Sequence, residues 1–378
     1  MRLWIDASVR RVDDVEARPD GTLSRASRLE RQAVAGVVTE AGEGRATTGD
    51  LDRASLRAAV RRAADAVLPG PPRPEPPVMT AEVDTFADPR GWTPEQIAEL
   101  VETVRRDLAG AVPGGRWVVR ARAIREHRML GDSRGLRVRE EITRCWLHAR
   151  AVTAAGAAAV DGQFARHPAD LRPAELAEAL LTALPEGPFC QVDPTPVAIV
   201  WAPAATARLL GLITALPAAE RAACLATAPA AVLDDPRHPT GPRSAVFDPD
   251  GFVTADRASP LARTAGPASN VVLDRFGTAA ADGLLMADLL DARLGRDGAD
   301  RVIRAAFLGA QGGGTRRPVH GVLAVPVADL LGRSVAALGP GKFLHGLGGF
   351  DAATLITLPG PRLRIRDDHA LSGEDTAR

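Results

Sequence analysis

The sequence predicts an α+β chain of two domains, and three observations carry that prediction. Two segments place apolar residues at helical spacing behind clear start signals. A middle segment alternates apolar residues with arginine about a glycine-bounded turn. A proline-rich break near Pro188 is then followed by an apolar run that does not alternate. These set a mixed N-terminal domain over residues 1–188 and a β-rich C-terminal domain over residues 189–378.

In chain order, the first 48 residues alternate strand-like runs such as Leu3 to Ile5 and Ala33 to Val38 with Gly and Asp turns. Asp50 or Asp52 can cap a helix whose apolar stripe is Leu56, Val60, Ala63 and Val67. The run from Pro69 to Val78 ends it and reads as a stiff, polyproline-like connector. A second helix has Thr93 as N-cap, Pro94 at the first helical position and Gln96 in the capping-box place, with Ile97, Leu100, Val101, Val104 and Leu108 as its buried stripe.

After Gly114-Gly115 the period becomes two. Trp117, Val119 and Ala121 alternate with Arg120 and Arg122, the chain turns between Gly131 and Gly135, and Leu136 and Val138 alternate with Arg137 and Arg139. This predicts an antiparallel meander with one solvated, arginine-rich face. Glu126, Glu140 and Glu141 flank it and no aromatic platform interleaves it, which argues against nucleic acid. A third helix from Pro173 to Leu184 carries Leu176, Leu180 and Leu184. Thr195 to Pro203 then reads as a strand buried on both faces, feeding a helix with Leu209, Leu210, Ile213 and Leu216 inward.

Composition excludes several classes. Lys plus Arg and Asp plus Glu both number 47, so no net charge draws the chain to nucleic acid or an anionic membrane. Cys145, Cys190 and Cys224 are odd in number and widely spaced, against a disulfide framework or a structural zinc site. The start, MRLWIDASVRRVDD, lacks a signal-peptide apolar core, and no run is long enough to span a bilayer. The expectation is a soluble cytoplasmic protein.

The segment from Leu233 to Arg257 holds the densest pattern. Asp234 and Asp235 precede Pro236, and Phe247, Asp248, Pro249, Asp250 and Gly251 follow, which reads as an ordered, turn-rich loop. Asp234, Asp235 and His238 could gather about a metal, but Pro236 and Pro239 fix the backbone between them, and a charge-satisfied structural loop is the preferred reading. Cys145 and His148, three apart on a strand, fall on opposite faces and make no nucleophile pair. The glycines between Gly309 and Gly314 lack a P-loop lysine.

Together with the flanking helices, this loop resembles the "DDP … FDxEG" signature of the TldD/PmbA family of metallopeptidases. The meander from Gly131 to Val152 resembles the family's turn-and-strand pair, and Gly266 to Gly277, with Asn270, its "NLxLxPG" strand. The segment PVADLLGRSVAALG resembles its closing segment. The chain departs from the family in lacking a hairpin between Arg257 and Gly266 and in matching poorly from Gly295 to Gly314. Catalytic members carry HExxxH on the helix corresponding to the one after Pro203, two histidines binding zinc and the glutamate acting as base. The matching places are Gly211, Leu212 and Leu216, and Pro340-Gly341-Lys342 stands where relatives carry a ligand cysteine. The resemblance is therefore to the non-catalytic, PmbA/TldE-like branch, with no catalytic residue and no metal on this chain.

That resemblance implies a curved antiparallel sheet in the C-terminal domain and a heterodimer with a TldD-like catalytic subunit that holds the zinc. It implies hydrolysis of unfolded peptides, extending to removal of leader peptides from ribosomally made natural products. Asp234, Asp235, His238, Phe247, Asp248, Gly251 and Asn270 are then structural or substrate-channel candidates. Two other readings stand beside it: a binding or regulatory protein of gyrase-modulator type, and a self-contained hydrolase with an unrecognised nucleophile.

Overall fold

The computed structural model describes residues 1–70, 80–185, 187, 199–201, 203–214, 216–224, 232–234, 259–260, 271–273, 284–298, 300–311, 317–327, 336–338, 343–345, 349–350 and 355–358. The fold is α+β, as expected. Strands β1 (Arg2–Ala17), β2 (Leu23–Thr39) and β3 (Gly42–Thr48) form an antiparallel meander. The strand-like runs of the sequence are thus parts of two much longer strands. Their polar middle stays in the ladder because charges pair across it, Arg10 with Glu30 at 3.1 Å and Arg28 with Asp14 at 2.5 Å.

Helix α1 (Arg53–Asp65) begins where Asp52 accepts the N–H groups of Ala54 and Ser55 at 2.8 and 3.0 Å. It rests on β2 and β3 through buried Ala59 and Ala63, with Leu56, Val60 and Val67 half-buried. The predicted stripe is therefore shifted onto alanines, which let the helix come closer. Gly44 completes the approach, since a Cβ there would lie 1.9 Å from the Ala63 carbonyl oxygen. Strands β4 (Leu68–Pro69) and β5 (Thr80–Phe86) follow.

Helix α2 (Pro94–Ala111) has the predicted capping box: Thr93 N–H donates to Gln96 Oε1 at 2.9 Å and Gln96 N–H to Thr93 Oγ1 at 3.4 Å. Ile97, Val101, Val104 and Leu108 are buried, and Leu100 is partly so. Strands β6 (Arg116–Asp132), β7 (Arg137–Val152) and β8 (Ala158–Ala165) extend the sheet, and α3 (Pro173–Ala183) packs beside α2 through Leu176 and Leu180. The sheet order is β4-β3-β2-β1-β6-β7-β5, with β8 also paired to β7. Beneath α2 and α3 lie Val119, Ala121 and Ala123 of β6 and Cys145, Leu147 and Ala149 of β7.

Beyond residue 198 come β9 (Ile199–Trp201), α4 (Pro203–Thr214), α5 (Ala218–Cys224), β10 (Val232–Asp234), β11 (Ser259–Pro260) and β12 (Val271–Leu273). Then follow β13 (Leu284–Asp297), β14 (Asp300–Gln311), β15 (Arg317–Pro326), β16 (Ala336–Leu338), β17 (Phe343–His345), β18 (Gly349–Phe350) and β19 (Leu355–Leu358). Two sheets result among the described residues, β15-β14-β13-β9-β19-β16 and β11-β10-β12-β17-β18. Strand β9 lies inside its sheet, between parallel β13 and antiparallel β19, the place an unalternating apolar strand predicts. The poorly matching stretch from Gly295 is built around the β13–β14 hairpin, where Asp297 pairs with Asp300.

Helix α4 packs against β13 and also reaches β8, while β18 lies against β7 and β8. Among the described residues, β7 and β8 of the first sheet are thus where elements beyond residue 198 meet it. Among the described residues no helix is long and apolar enough to cross a membrane.

Candidate functional site

Helix α4 is buried through Leu209, Leu210 and Ile213, three of the four residues its spacing marks as inward, while the fourth, Leu216, is half-buried past the helix end. Its end is built locally. Thr214 Oγ1 donates to the Gly211 carbonyl at 3.0 Å, and the Leu216 N–H turns back to the Ile213 carbonyl at 3.1 Å. From α5, the buried Arg221 guanidinium donates to the carbonyls of Thr214 and Leu216 at 3.5 and 3.4 Å, a positive charge at the negative end of the α4 dipole. Glu220 beside it pairs with Arg301 and, at 3.3 Å, with Arg296.

Gly211 and Leu212 are half-buried on α4, whereas Leu216 lies two residues past its end. A zinc ion does not fit these three places: two are aliphatic, one has no side chain, and the helix stops before the third. Among the described residues, no group of three His, Cys, Asp or Glu side chains is arranged to hold a metal.

Asp234 is placed differently from expectation. It belongs to β10, paired with Ser259 of β11 on one side and Val271 of β12 on the other, so it is a strand residue. The ladder fixes its backbone, which a loop reading of Leu233 and Asp234 did not anticipate. Asp235, His238, Phe247, Asp248, Gly251 and Asn270 lie outside the described residues, as do the Pro71 to Val78 connector and Pro340-Gly341-Lys342.

The expected single arginine-rich face does not exist: the β6–β7 register pairs Arg139 with Met129 and Arg137 with Gly131, on the face opposite Arg120 and Arg122, because the Gly131 to Gly135 turn brings β7 back with Leu136 and Val138 on the side of Arg120 and Arg122. The face of Arg120 and Arg122 itself divides in two. At one end Arg120 and Arg122 are exposed and paired, Arg120 with Glu16 and Arg122 with Asp14, each at 2.5 Å. Burial alone would raise the Asp14 carboxyl, but the hydrogen bonds from Arg122 and Arg28 outweigh it and lower its pKa. At the other end the same face closes over. Ala123 and Ile124 are consecutive buried residues, and beyond them Glu126 and Glu140 are only 8% and 4% exposed. The expectation of a solvated face thus holds only at the Arg120 and Arg122 end, because the face that is wet at Arg122 is covered from Ile124 onward.

This covered patch gathers charge. Arg144 donates to Glu126 at 2.6 Å and Arg128 Nε to Asp6 at 2.8 Å. Burial holds the Glu140 carboxyl up at about 8, against the pull of Arg128. Further along β7, the Arg144 guanidinium stands 5.9 Å from the centre of the Trp146 ring, which meets Phe164 edge-on at 5.6 Å. Cys145 points to the opposite face among the helices, where burial pushes its thiol far up, so it is inert and apart from His148 as expected. No signal in the sequence marks this patch except the paired Ala123 and Ile124, which break the alternation.

This α+β architecture is shared with solved structures. It superposes on the crystal structure of TldE from Thermococcus kodakarensis with a TM-score of 0.72 at 15% identity, covering 96% of each chain. A protein from Thermotoga maritima described as a candidate modulator of a DNA gyrase aligns with a TM-score of 0.68 at 14% identity, over 94% of this chain and 96% of that one. A similarly described protein from Bacteroides thetaiotaomicron gives 0.71 at 14%, over 95% and 94%. Likeness at such identity establishes a shared fold, and it extends over nearly the whole length. No family model matches the sequence, and no curated protein does.

Proposed function

We propose that this chain is a PmbA/TldE-like member of the TldD/PmbA family and the non-metal-binding subunit of a heterodimeric zinc metallopeptidase acting on unfolded peptides. The observation that supports the reading is α4: where the resemblance to catalytic members would put HExxxH, this chain has Gly211, Leu212 and Leu216, at a helix end held by Arg221. A TldD-like partner supplies the zinc and the base. This chain shapes the chamber and orders the peptide, from two domains divided at residues 188 and 189, in the cytoplasm. Trimming of leader peptides is the proposed role.

Co-expression with an HExxxH-bearing relative tests this. A heteromer should form by light scattering, with about one zinc per pair, all of it retained by the partner when the subunits are separated. Separate elution at micromolar concentration, or stoichiometric zinc on the isolated chain, defeats the reading. Regulation of a DNA gyrase is the second reading, favoured by the descriptions of two structural neighbours. It requires a direct effect on supercoiling by the chain alone.

A further inference from the structure

Strand β2 pairs with β1 from Leu23 to Val38, but β3 covers its outer side only from Ala33 to Thr39. The stretch before that, Leu23 to Gln32, has no strand on its outer side among the described residues. Both of its faces are open as well, since Ser24 to Leu29, Arg31 and Gln32 are all exposed. An edge of this kind presents its unpaired N–H and C=O groups as a template for another strand.

Which groups those are follows from the hairpin turn. The Arg18 N–H donates to the Thr22 carbonyl at 3.1 Å, so these two residues face each other, and in an antiparallel ladder every second pair repeats that. The main-chain groups of Ser24, Ala26, Arg28 and Glu30 therefore point to β1. Those of Leu23, Arg25, Ser27, Leu29 and Arg31 point outward, and Ala33, next in that series, is where β3 joins.

The side chains of the outward residues share one face. Among them Leu29 is 57% exposed, and the Arg31 guanidinium has no carboxylate partner among the described residues. The other charges along the edge are engaged. Arg28 pairs with Asp14 and Glu30, Glu30 also with Arg10, and Arg25 lies near Glu95. Asp13, the carboxylate behind Ser27, is 1% exposed and accepts from Ser27 Oγ at 2.7 Å and from Trp92 Nε1 at 3.0 Å. Charged side chains on an edge deter pairing with another sheet, whereas an exposed leucine beside an unpaired arginine invites a matching strand.

We infer that the open edge of β2 takes up an extended peptide as an added antiparallel strand, through main-chain hydrogen bonds to Arg25, Ser27, Leu29 and Arg31, with an apolar side chain against Leu29 and a carboxylate against Arg31. The inference rests on the peptide-handling role proposed above and gives it a mode of recognition, one that reads the main chain and so accepts many sequences. The polar row favours a lone strand over a folded partner, which would need a wider apolar patch than Leu29 to dock. In an antiparallel strand the residues opposite Arg31 and Leu29 lie two apart, so the favoured segment has an acidic residue two positions before an apolar one.

Fluorescence anisotropy on the full-length chain tests this with a short labelled peptide of serine and threonine that carries one glutamate and, two positions later, one leucine. Two further forms are N-methylated, one on the glutamate, the leucine and the residues alternating in phase with them, the other on the residues between. The first should lose at least about tenfold in affinity and the second little, since only the first set points its N–H groups at β2. Replacing the glutamate with glutamine should weaken binding about threefold at low salt, and Arg31→Gln in the protein should remove that difference. Leu29→Pro takes away an outward N–H that the β1 ladder does not use, so the chain should fold and bind the peptide at least about tenfold less tightly.

Equal affinity of the two methylated forms, or undiminished binding by Leu29→Pro, overturns the inference. Should Leu29→Pro fail to fold by circular dichroism, the methylated pair on the wild-type chain and Arg31→Gln decide. A dimer in light scattering that Leu29→Pro abolishes makes a second copy the occupant, and a heteromer that Leu29→Pro abolishes makes it the partner subunit; either overturns the peptide assignment. Peptide binding without heteromer formation sinks the subunit reading and spares the edge. A heteromer formed by a chain that ignores every peptide does the reverse.

Discussion

Glu140 sets a pH dependence that a surface carboxylate could not. Its Oε1 is enclosed without a hydrogen-bond partner, and its surroundings combine Arg128 and Arg144 with Glu126 and Asp6. Burial dominates and raises its pKa from 4.5 to about 8. The folded state therefore holds a proton that the unfolded chain releases, and stability from this group is fully present below 4.5 and falls as pH rises toward about 8. Glu140→Gln keeps the shape and cannot ionise. Urea unfolding at a series of pH values should show the variant gaining on the wild type from pH 5 upward, by on the order of a few kcal/mol at pH 8. A difference that stays flat with pH would mean that Glu140 is solvated and ordinary.

At the scale of elements, local signals were readable and pairings across the sheet were not. The capping box of α2 was legible because all its parts lie within Thr93 to Gln96, and Thr93→Ala should cost about 1 kcal/mol in thermal or denaturant unfolding. The close seating of α1 leads to a larger effect. Gly44→Val should destabilise by several kcal/mol, since its Cβ alone would meet the Ala63 carbonyl oxygen at 1.9 Å and backbone cannot move aside as a side chain does. If Gly44→Val unfolds at the wild-type midpoint, α1 does not lie where it is described. The full length of β1 and β2 was not legible, because residues such as Arg10, Asp14, Arg28 and Glu30 look like turn or surface residues until their partners across the ladder are known. The same holds for Asp234, whose strand character comes from Ser259 and Val271, 25 and 37 positions downstream in the numbering. The burial of Glu126 and Glu140 was not legible for a related reason: alternation reports two faces but not where a covering element ends.

For the molecule as a whole, the proposed division at residues 188 and 189 has a measurable consequence. The first sheet draws its strands from residues 2–165, and among the described residues its core under α2 and α3 uses none beyond Leu184. A fragment of residues 1–188 should therefore fold alone and unfold cooperatively in urea. It should not be unchanged. In the full chain α4 packs on β8 and β18 on β7 and β8, the strands that carry Trp146 and Phe164. Of the fragment's four tryptophans, Trp4, Trp92 and Trp117 are buried within the first sheet and its helices at 2%, 9% and 5% exposure, whereas Trp146 is half-buried on β7, the strand that β18 contacts. Removing those elements should shift tryptophan emission to the red, and Trp146→Phe in the fragment should abolish the shift, while far-ultraviolet circular dichroism reports an intact sheet. A fragment that is unfolded by circular dichroism would show that the two parts form one cooperative unit and that the division is not a domain boundary. A folded fragment with unchanged emission would place the cover over Trp146 within the first 188 residues, and would remove the grounds for reading the β7–β8 edge as the junction of two domains.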